Sequence, residues 1–348
     1  MKKKVFIAGG GTGGHFYPAV SIAEKLKEKG YIIYYFGSKN GIEGRKNFPA
    51  DRTWLYDIRG VRGKFFLKKI LSSSKLLTTA FKIKKIIQKE NPDFIITFGG
   101  YASLPLGISA LLTGKNLYIH EQNSIPSYTN LILSKFAKKV FITFEYSKKY
   151  FPEDKTVLTG FPLRKEIIED VKIGKEKARE ILGIDKERKT VLVFGGSQGA
   201  RKLTQIAYKV SNKLKEVQFI IITGKLYKEE KTQENIKVFP YYDRMGILYS
   251  ASDIVVSRAG AGSVSEILFY RKPAIFIPYP YAASDHQFYN VKWLEEKEIA
   301  EIIKDEELDV DILCKKIKDN LNKKNQEIIK NYSIIDTAEK ILEEIKNG

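Results

Sequence analysis

The residues best suited to carry out chemistry lie in and beside a glycine loop near the start of the chain. Five of the six residues from Gly9 to Gly14 are glycine, and the sixth is Thr12. Glycine lets a backbone turn sharply and approach a ligand closely. A helix that starts here would point free N–H groups at an anion or a sugar oxygen. His15 follows at once, where an imidazole would serve as a general base. A plain strand-to-helix turn needs one or two glycines, so we favour ligand binding.

Two further glycine loops have the same form. FGGYAS at residues 98–103 and FGGSQGA at residues 194–200 each follow an apolar run. A hydroxyl beside backbone donors suits phosphate oxygens, although a serine that caps a helix would explain either loop alone. Three such loops predict a phosphate-rich or polyhydroxyl ligand. The pattern fits neither a nucleoside-triphosphatase nor a simple dehydrogenase, since G-x-x-x-x-G-K-[ST] is absent and Asp51 lies too far along for a dinucleotide site.

A fourth segment, SRAGAGSVSE at residues 257–266, also follows an apolar run. Ser263 and Glu266 have the spacing of a capping box, which would explain both residues without a ligand. Alternatively, the helix N terminus receives a diphosphate and the Glu266 carboxylate accepts hydrogen bonds from ribose hydroxyls. The spacing alone does not decide between these interpretations.

The elements that must position these loops alternate between strand and helix in both halves. In the first half we predict strands at 4–8, 32–37, 94–97, 117–120 and 140–143, with helices at 18–29 and 66–90. In the second half we predict strands at 190–194, 218–223, 254–257 and 274–277, with helices at 200–214 and 264–270. This alternation predicts an α/β fold with parallel sheets covered on both faces. Ligands bind such sheets at the carboxyl ends of the strands, so we expect the active site in a cleft between the halves.

The length of 348 residues fits two domains. Residues 5–15 and 191–200 share one plan of strand, paired glycines, polar residue, glycine and helix, which predicts two similar domains. Pro152, Gly160 and Pro162 mark the junction. We therefore predict domains at 1–158 and 159–332, followed by a helix at 333–348 whose return over the first domain the sequence leaves open.

Composition limits the partners. Cys314 is the single cysteine, which fits a reducing compartment, and neither a signal peptide nor an apolar stretch of about 20 residues is present. The net charge of +19 suggests an anionic partner, although a lysine-rich proteome would also explain it. No two of the three histidines, His15, His120 and His286, have metal-site spacing, so we predict no metal.

Residues 59–89 contain ten Lys or Arg and no acidic residue. Leu76, Ala80, Ile83 and Ile87 have helical spacing and predict a face that packs on the core. The apolar cluster ahead of them exceeds what one helix face needs, which suggests docking to an anionic bilayer. A solvated basic helix is the alternative, and no nucleic-acid-binding motif is present. The predicted membrane contacts are Lys64, Phe65, Phe66, Leu67, Lys68, Lys69, Ile70 and Leu71.

Seven segments, in this order, resemble the signature segments of the MurG family of bacterial lipid I N-acetylglucosaminyltransferases. They are GGGTGGHFYPA, FGGYAS, HEQNSIPSYTN, GFPLR, FGGSQGA, SRAGAGSVSE and DHQFYN, and they run from residue 9 to about residue 294. The resemblance implies a GT-B fold with two Rossmann-like domains facing across a cleft. It also implies a metal-free, inverting transfer of N-acetylglucosamine from UDP-N-acetylglucosamine to the C4 hydroxyl of the muramoyl sugar of lipid I, which yields lipid II and UDP in peptidoglycan synthesis.

The resemblance carries over residue by residue. It implies that UDP-N-acetylglucosamine is bound by Thr12, Gly13, Gly14, Asn123, Arg164, Ser197, Tyr242, Ala261, Gly262, Ser263, Val264, Ser265, Glu266 and Gln287. It therefore favours the ribose interpretation of Glu266. A metal-free transfer needs a general base and donors that hold the leaving diphosphate. His15 is the first candidate for the base, and Glu121 is the second.

The resemblance further implies no cofactor and no nucleic acid, a peripheral position on the cytoplasmic face of the cell membrane, and other cell-wall synthesis proteins as candidate partners. Two rivals remain within the same fold, a UDP-sugar epimerase and another glycolipid transferase. An epimerase acts on a soluble nucleotide sugar and has no need of the basic apolar surface. A non-catalytic protein that binds a nucleotide sugar or RNA is the rival from another class, and the ordered glycine loops with His15 argue against it.

Overall fold

The computed structural model describes residues 2–58, 74–196, 200–224, 233–322 and 336–347. The chain divides into two compact units, Met1–Arg164 with Ile335–Gly348, and Lys165–Ile334. The division falls after Arg164 rather than after the predicted residue 158. Residues 159–164 stay with the first unit because the Thr159 carbonyl accepts from Thr337 Oγ1 at 3.1 Å and the Leu163 carbonyl accepts from Ser21 Oγ at 2.6 Å.

The described part of the first unit contains a sheet of seven parallel strands in the order β3-β2-β1-β4-β5-β6-β7. The strands are β1 (Lys4–Ala8), β2 (Ile32–Ser38), β3 (Arg52–Tyr56), β4 (Phe94–Thr97), β5 (Leu117–Glu121), β6 (Lys139–Ile142) and β7 (Thr156–Leu158). The helices between them are α1 (Gly13–Glu28), α2 (Ser74–Glu90), α3 (Leu104–Thr113) and α4 (Tyr128–Ser134). Apolar residues of the central strands are buried on both faces, which explains their near-continuous apolar runs.

The second unit repeats this plan. Its described residues form six parallel strands in the order β10-β9-β8-β11-β12-β13. The strands are β8 (Thr190–Phe194), β9 (Gln218–Ile222), β10 (Ile236–Phe239), β11 (Ile254–Ser257), β12 (Ala274–Phe276) and β13 (Ala300–Ile302). The helices are α5 (Lys165–Asp170), α6 (Lys175–Leu182), α7 (Arg201–Lys213), α8 (Met245–Ala251), α9 (Ala261–Phe269), α10 (His286–Glu296) and α11 (Val310–Asn322). The prediction of two Rossmann-like parallel-sheet domains is confirmed.

The last helix, α12 (Thr337–Lys346), belongs to the first unit. Its Ile341 and Leu342 are buried in the core on the α1 face of the first sheet. Glu339 pairs with Lys29 of α1 at 2.5 Å, and Glu344 pairs with Lys139 of β6 at 2.6 Å. Apolar packing and ion pairs together hold α12 against α1 and the sheet.

The basic segment of the first unit is described only from Ser74 onward. The predicted face of α2 is confirmed, because Leu76, Ala80, Ile83 and Ile87 are all buried. Among the helices of the described ranges in both units, none has the length and hydropathy of a membrane-spanning helix. The predicted membrane contacts lie outside the described residues: Lys64, Phe65, Phe66, Leu67, Lys68, Lys69, Ile70 and Leu71.

Candidate functional site

The first glycine loop connects β1 to α1, and the helix begins earlier than predicted. We expected Pro18 to open it, but Thr12 is its N-cap and Gly13, Gly14 and His15 form its first turn. Backbone N–H groups in a first turn have no partner inside the helix. The helix dipole adds positive charge at the same place. Gly13 and Gly14 therefore offer donors to a phosphate or sugar oxygen, as the ligand interpretation requires.

A buried carboxylate that the sequence analysis missed holds this loop in shape. Glu43 is 5% exposed, and its Oε2 accepts from the Gly11 N–H at 2.8 Å. Its Oε1 accepts from the Ser38 N–H at 2.9 Å. A Cβ at Gly10 or Gly37 would lie 2.3 or 2.8 Å from the Glu43 side chain. The surrounding glycines were the available signal, because they leave the space that a buried carboxylate needs.

The second glycine loop follows β4 and contacts the first. Gly100 has a φ of +73°, and a Cβ there would lie 2.8 Å from the Gly10 carbonyl oxygen and 3.0 Å from His15 Cδ2. Ser103 is fully buried, and its hydroxyl oxygen lies 3.0 Å from the carbonyl oxygen of Ala8 and 2.7 Å from that of Gly99, either of which can accept its single hydrogen. Ser103 thus ties the ends of β1 and β4 together and is not available to a phosphate.

His15 is connected to the HEQN segment by hydrogen bonds. Its Nδ1 lies 2.8 Å from Gln122 Oε1. The Gln122 Nε2 lies 3.1 Å from His120 Nδ1, and His120 Nε2 lies 2.9 Å from the Gly160 carbonyl oxygen. Burial lowers the pKa of His120 to about 4, so its ring is neutral near pH 7. His15 is half-buried beside the glycine loops, with one ring nitrogen already engaged.

Glu121, the second candidate for the base, is fully buried. Both of its carboxylate oxygens already accept hydrogen bonds. Its Oε1 accepts from the Asn123 N–H at 2.9 Å. Its Oε2 accepts from the Ser127 N–H at 3.0 Å and from Asn130 Nδ2 at 2.8 Å. This carboxylate shapes the loop that follows β5 and fixes the backbone of Asn123. The arrangement favours His15 as the base.

Arg164 lies beside the start of α1. Its guanidinium carbon is 5.2 Å from the centre of the Tyr17 ring, a distance typical of a cation–π contact. The same ring would contact a Cβ at Gly13 at 3.2 Å. Arg164 is therefore placed near the Gly13 and Gly14 donors, where a positive charge adds to the attraction for an anion.

In the second unit, α9 begins directly after Gly260. The capping-box interpretation of Ser263 and Glu266 is wrong, because Ser263 is the third residue of the helix and not its N-cap. The first-turn N–H groups of Ala261, Gly262 and Ser263 form the donor-rich end of the helix. Val264 is buried and Ser265 is half-buried further along.

Two polar side chains near this helix have fixed orientations. Glu266 Oε2 accepts from the hydroxyl of Tyr249 at 2.9 Å. Gln287, on α10, uses its Oε1 to accept from the Ala259 N–H at 3.2 Å and the Tyr279 N–H at 3.0 Å. Since its oxygen accepts both of these hydrogen bonds, the NH₂ group is the part of the Gln287 side chain that could donate to a ligand.

Two predicted ligand contacts remain, and the structure describes only one of them. Tyr242, after β10, is half-buried, with its ring 4.8 Å from the Phe239 ring. Ser197 lies outside the described residues. Within the described ranges, no group of three or more His, Cys, Asp or Glu side chains could hold a metal ion.

Comparison with known proteins gives a consistent result. The N-terminal domain of glycosyltransferase family 28 matches residues 5–142, and the C-terminal domain of that family matches residues 190–345. A relative from Sulfurihydrogenibium sp. (strain YO3AOP1) is 53% identical and covers 99% of this chain and 98% of its own. A relative from Aquifex aeolicus (strain VF5) is 40% identical and covers 98% of this chain and 99% of its own. Both are named UDP-N-acetylglucosamine–N-acetylmuramyl-(pentapeptide) pyrophosphoryl-undecaprenol N-acetylglucosamine transferase.

Solved structures agree on the fold. The crystal structure of Acinetobacter baumannii MurG has a TM-score of 0.76, is 24% identical, and covers all of both chains. A UDP-GlcNAc 2-epimerase from Neisseria meningitidis bound to UDP-GlcNAc also covers all of both chains, with a TM-score of 0.66 and 12% identity. The fold is thus shared with the epimerase rival, whereas the sequence relationship over the whole length is with the transferases. This chain belongs to the MurG family of glycosyltransferases, within glycosyltransferase family 28.

Proposed function

We propose that this enzyme transfers N-acetylglucosamine from UDP-N-acetylglucosamine to the C4 hydroxyl of the muramoyl sugar of lipid I, with inversion at the anomeric carbon. The products are lipid II and UDP. The observation that carries the proposal is the position of His15. It lies in the first turn of α1, beside two glycine loops, with its ring held by Gln122.

In the proposed reaction, His15 accepts the proton of the C4 hydroxyl while the hydroxyl oxygen bonds to the anomeric carbon. The bond from that carbon to the UDP oxygen breaks, and UDP leaves with the electron pair. The first turn of α9, from Ala261 to Ser263, stabilises the negative charge of the diphosphate. His15 then releases its proton to solvent.

Two of the proposed donor contacts are supported by side-chain orientations, and the others are carried over from the family resemblance. Glu266, positioned by Tyr249, accepts hydrogen bonds from the ribose hydroxyls. Gln287 donates through its NH₂ group to an oxygen of the sugar. The backbone at Tyr242 faces the uracil. Thr12, Gly13, Gly14, Asn123, Arg164, Ser197, Val264 and Ser265 complete the proposed set.

We also propose that the enzyme binds peripherally to the cytoplasmic face of the membrane, because its acceptor is a lipid. Leu77 and Phe81 lie one turn apart on α2 and are 44% and 55% exposed, and Leu112 on α3 is 47% exposed. The two helices are in contact, since Ser109 Oγ donates to the Ala80 carbonyl at 2.7 Å. Three lysines follow Phe81 on α2: Lys82 and Lys85 are exposed, and Lys84 is half-buried. Apolar side chains among cations suit an anionic bilayer.

The test is incubation with UDP-N-acetylglucosamine and a lipid I analogue, with UDP release and the disaccharide product measured by mass spectrometry. We expect UDP release to require both substrates. Conversion of UDP-N-acetylglucosamine to its C2 epimer without any acceptor would favour the epimerase instead.

A further inference from the structure

A series of hydrogen bonds connects His15 through Gln122 and His120 to Gly160. The donor and the acceptor of each bond can be assigned by starting at Gly160. That end is the carbonyl oxygen of Gly160, which can accept a hydrogen bond but cannot donate one. His120 Nε2 lies 2.9 Å from this oxygen. His120 must therefore carry a proton on Nε2. Since burial keeps its ring neutral, its Nδ1 has a lone pair and is an acceptor.

The side-chain amide of Gln122 is oriented by two acceptors. Its nitrogen lies 3.0 Å from the backbone carbonyl oxygen of His120 and 3.1 Å from His120 Nδ1. A carbonyl oxygen can face only a donor, so the amide atom at this position is the NH₂ group. The same orientation follows independently from the protonation of His120. The other amide atom of Gln122, its oxygen, is thereby directed to His15.

Gln122 Oε1 lies 2.8 Å from His15 Nδ1. An amide oxygen only accepts, so His15 Nδ1 must carry a proton. A neutral imidazole has one protonated nitrogen, which means that the lone pair of neutral His15 is on Nε2. We propose that Gln122 and His120 are positioning residues that fix this tautomer of His15, so that Nε2 is the atom that takes the proton of the acceptor hydroxyl. The catalytic part of this inference rests on the proposed function.

The surroundings of His15 Nε2 agree with this assignment. No described residue forms a hydrogen bond with Nε2. Gly100 faces this edge of the ring, and an added Cβ there would lie 3.5 Å from Nε2 and 3.0 Å from Cδ2. The left-handed backbone of Gly100 and its missing side chain thus leave space beside the basic nitrogen. With the opposite tautomer, Nε2 would carry a hydrogen and could not accept a proton.

The tautomer can be measured directly in the unaltered enzyme. Protein labelled with ¹⁵N at histidine gives signals from three residues, which the His15→Ala and His120→Gln variants assign. At a pH where His15 is neutral, we expect a pyrrole-like resonance for its Nδ1 and a pyridine-like resonance for its Nε2. The reverse pattern, or an equal mixture, would overturn the proposal without any catalytic measurement.

Kinetics then test whether the fixed tautomer serves the reaction. Gln122→Met removes the acceptor for Nδ1, and we expect kcat to fall about tenfold, the worth of one well-formed hydrogen bond. The KM for UDP-N-acetylglucosamine should stay within about twofold. The matched control is Gln205→Met, the same change at an exposed position of α7, which should leave both constants unchanged. The histidine spectrum of Gln122→Met should show a larger fraction of the Nε2–H form.

A double-mutant cycle separates positioning from general damage to the fold. In a His15→Ala background, Gln122→Met should change kcat by less than about twofold, because the residue that it positions is gone. A full further loss in that background would assign Gln122 a structural role and refute the proposal. Normal turnover by His15→Ala, combined with the predicted His15 tautomer in the unaltered enzyme, would instead show that the base of the proposed function is wrong.

Discussion

The hydroxyl of Tyr249, a fully buried residue of α8, donates to Oε2 of Glu266 at 2.9 Å. Glu266 lies in the second turn of α9, past the residues that could cap the helix. A buried donor thus orients a half-buried carboxylate beside the helix end that we propose as the diphosphate site.

If Glu266 binds ribose, Tyr249→Phe should raise the KM for UDP-N-acetylglucosamine about three- to tenfold, because the carboxylate loses a hydrogen bond that orients it. Tyr270→Phe is the matched control. Its hydroxyl is also buried but donates to the Ile167 carbonyl at 2.7 Å, so its removal should lower the melting temperature and leave KM unchanged. Equal effects of both variants on KM would contradict the ribose assignment.

His15→Ala should lower kcat by about 10²–10⁴-fold with little change in the affinity for the donor, as expected for loss of a general base. Glu121→Gln should instead reduce the free energy of unfolding by about 1–3 kcal/mol, because its new NH₂ group would face backbone donors. Steady-state kinetics and chemical unfolding of both variants check this. Near-normal turnover without His15, together with a large loss in an equally stable Glu121→Gln, would transfer the role of base to Glu121.

Glu43→Gln should destabilise the first unit by about 1–3 kcal/mol, since the two carboxylate oxygens accept from backbone N–H groups and an NH₂ group cannot replace either. Because Gly11 is one of those partners, kcat/KM should fall as well. The control is Glu153→Gln, whose side chain is 88% exposed and whose stability should change by less than about 0.5 kcal/mol. An unaltered kcat/KM in Glu43→Gln would show that Glu43 does not position the loop for catalysis.

His120 should make stability depend on pH. Its pKa is lowered from 6.5 to about 4 by burial, so below pH 6.5 the unfolded chain binds a proton that the folded chain does not. The stabilisation is present above pH 6.5 and is lost as the pH falls toward 4. The loss amounts to about 3 kcal/mol. Urea unfolding of the wild type and His120→Gln at about pH 7.5 and about pH 4 should show a smaller decline for the variant, and parallel declines would refute the assignment.

The surface formed by Leu77, Phe81 and Leu112 should bind vesicles. Replacing Leu77 and Phe81 by Ser should weaken binding to phosphatidylglycerol vesicles by at least about tenfold, because apolar area is lost. The control is the same double change at Ile168 and Ile181, which are 39% and 48% exposed in the second unit. Binding should also weaken as salt rises.

Lys64, Lys68 and Lys69, predicted from the sequence to contact the membrane, offer a separate test. Replacing all three by Glu should reduce turnover on long-chain lipid I, because each cation near an anionic surface contributes about 1 kcal/mol of binding. Turnover on a short soluble acceptor should be nearly unchanged. Equal losses on the two acceptors would indicate a role in the fold or the acceptor site.

The central strands could be predicted from the sequence, whereas the edge strands could not. β1, β4, β8 and β11 match their predicted bounds because their buried apolar residues form short continuous runs. The strands that we missed are β3, β7, β10 and β13, which lie at the sheet edges. Their residues are partly exposed, so polar side chains interrupt the apolar pattern.

The candidate site was predictable where ligand-binding loops have unusual composition. The glycine clusters in the sequence predicted His15 and the start of α9 as parts of the site. Glu43 was missed because its role depends on backbone N–H groups that the fold brings to it. The partnership of Gln122 with His15 was also missed, since 107 positions separate the two residues and no local pattern connects them.

The return of α12 to the first unit makes the second unit an insertion within the first. Residues 337–346 follow the entire second unit in the chain, yet Ile341 and Leu342 complete the core beside α1. During synthesis, the second unit can therefore fold before the first unit does, because the first unit cannot complete its core until α12 has been synthesised. Until α12 is made, the core beside α1 lacks Ile341 and Leu342, so we expect the unit that carries His15 to complete its folding after the second unit.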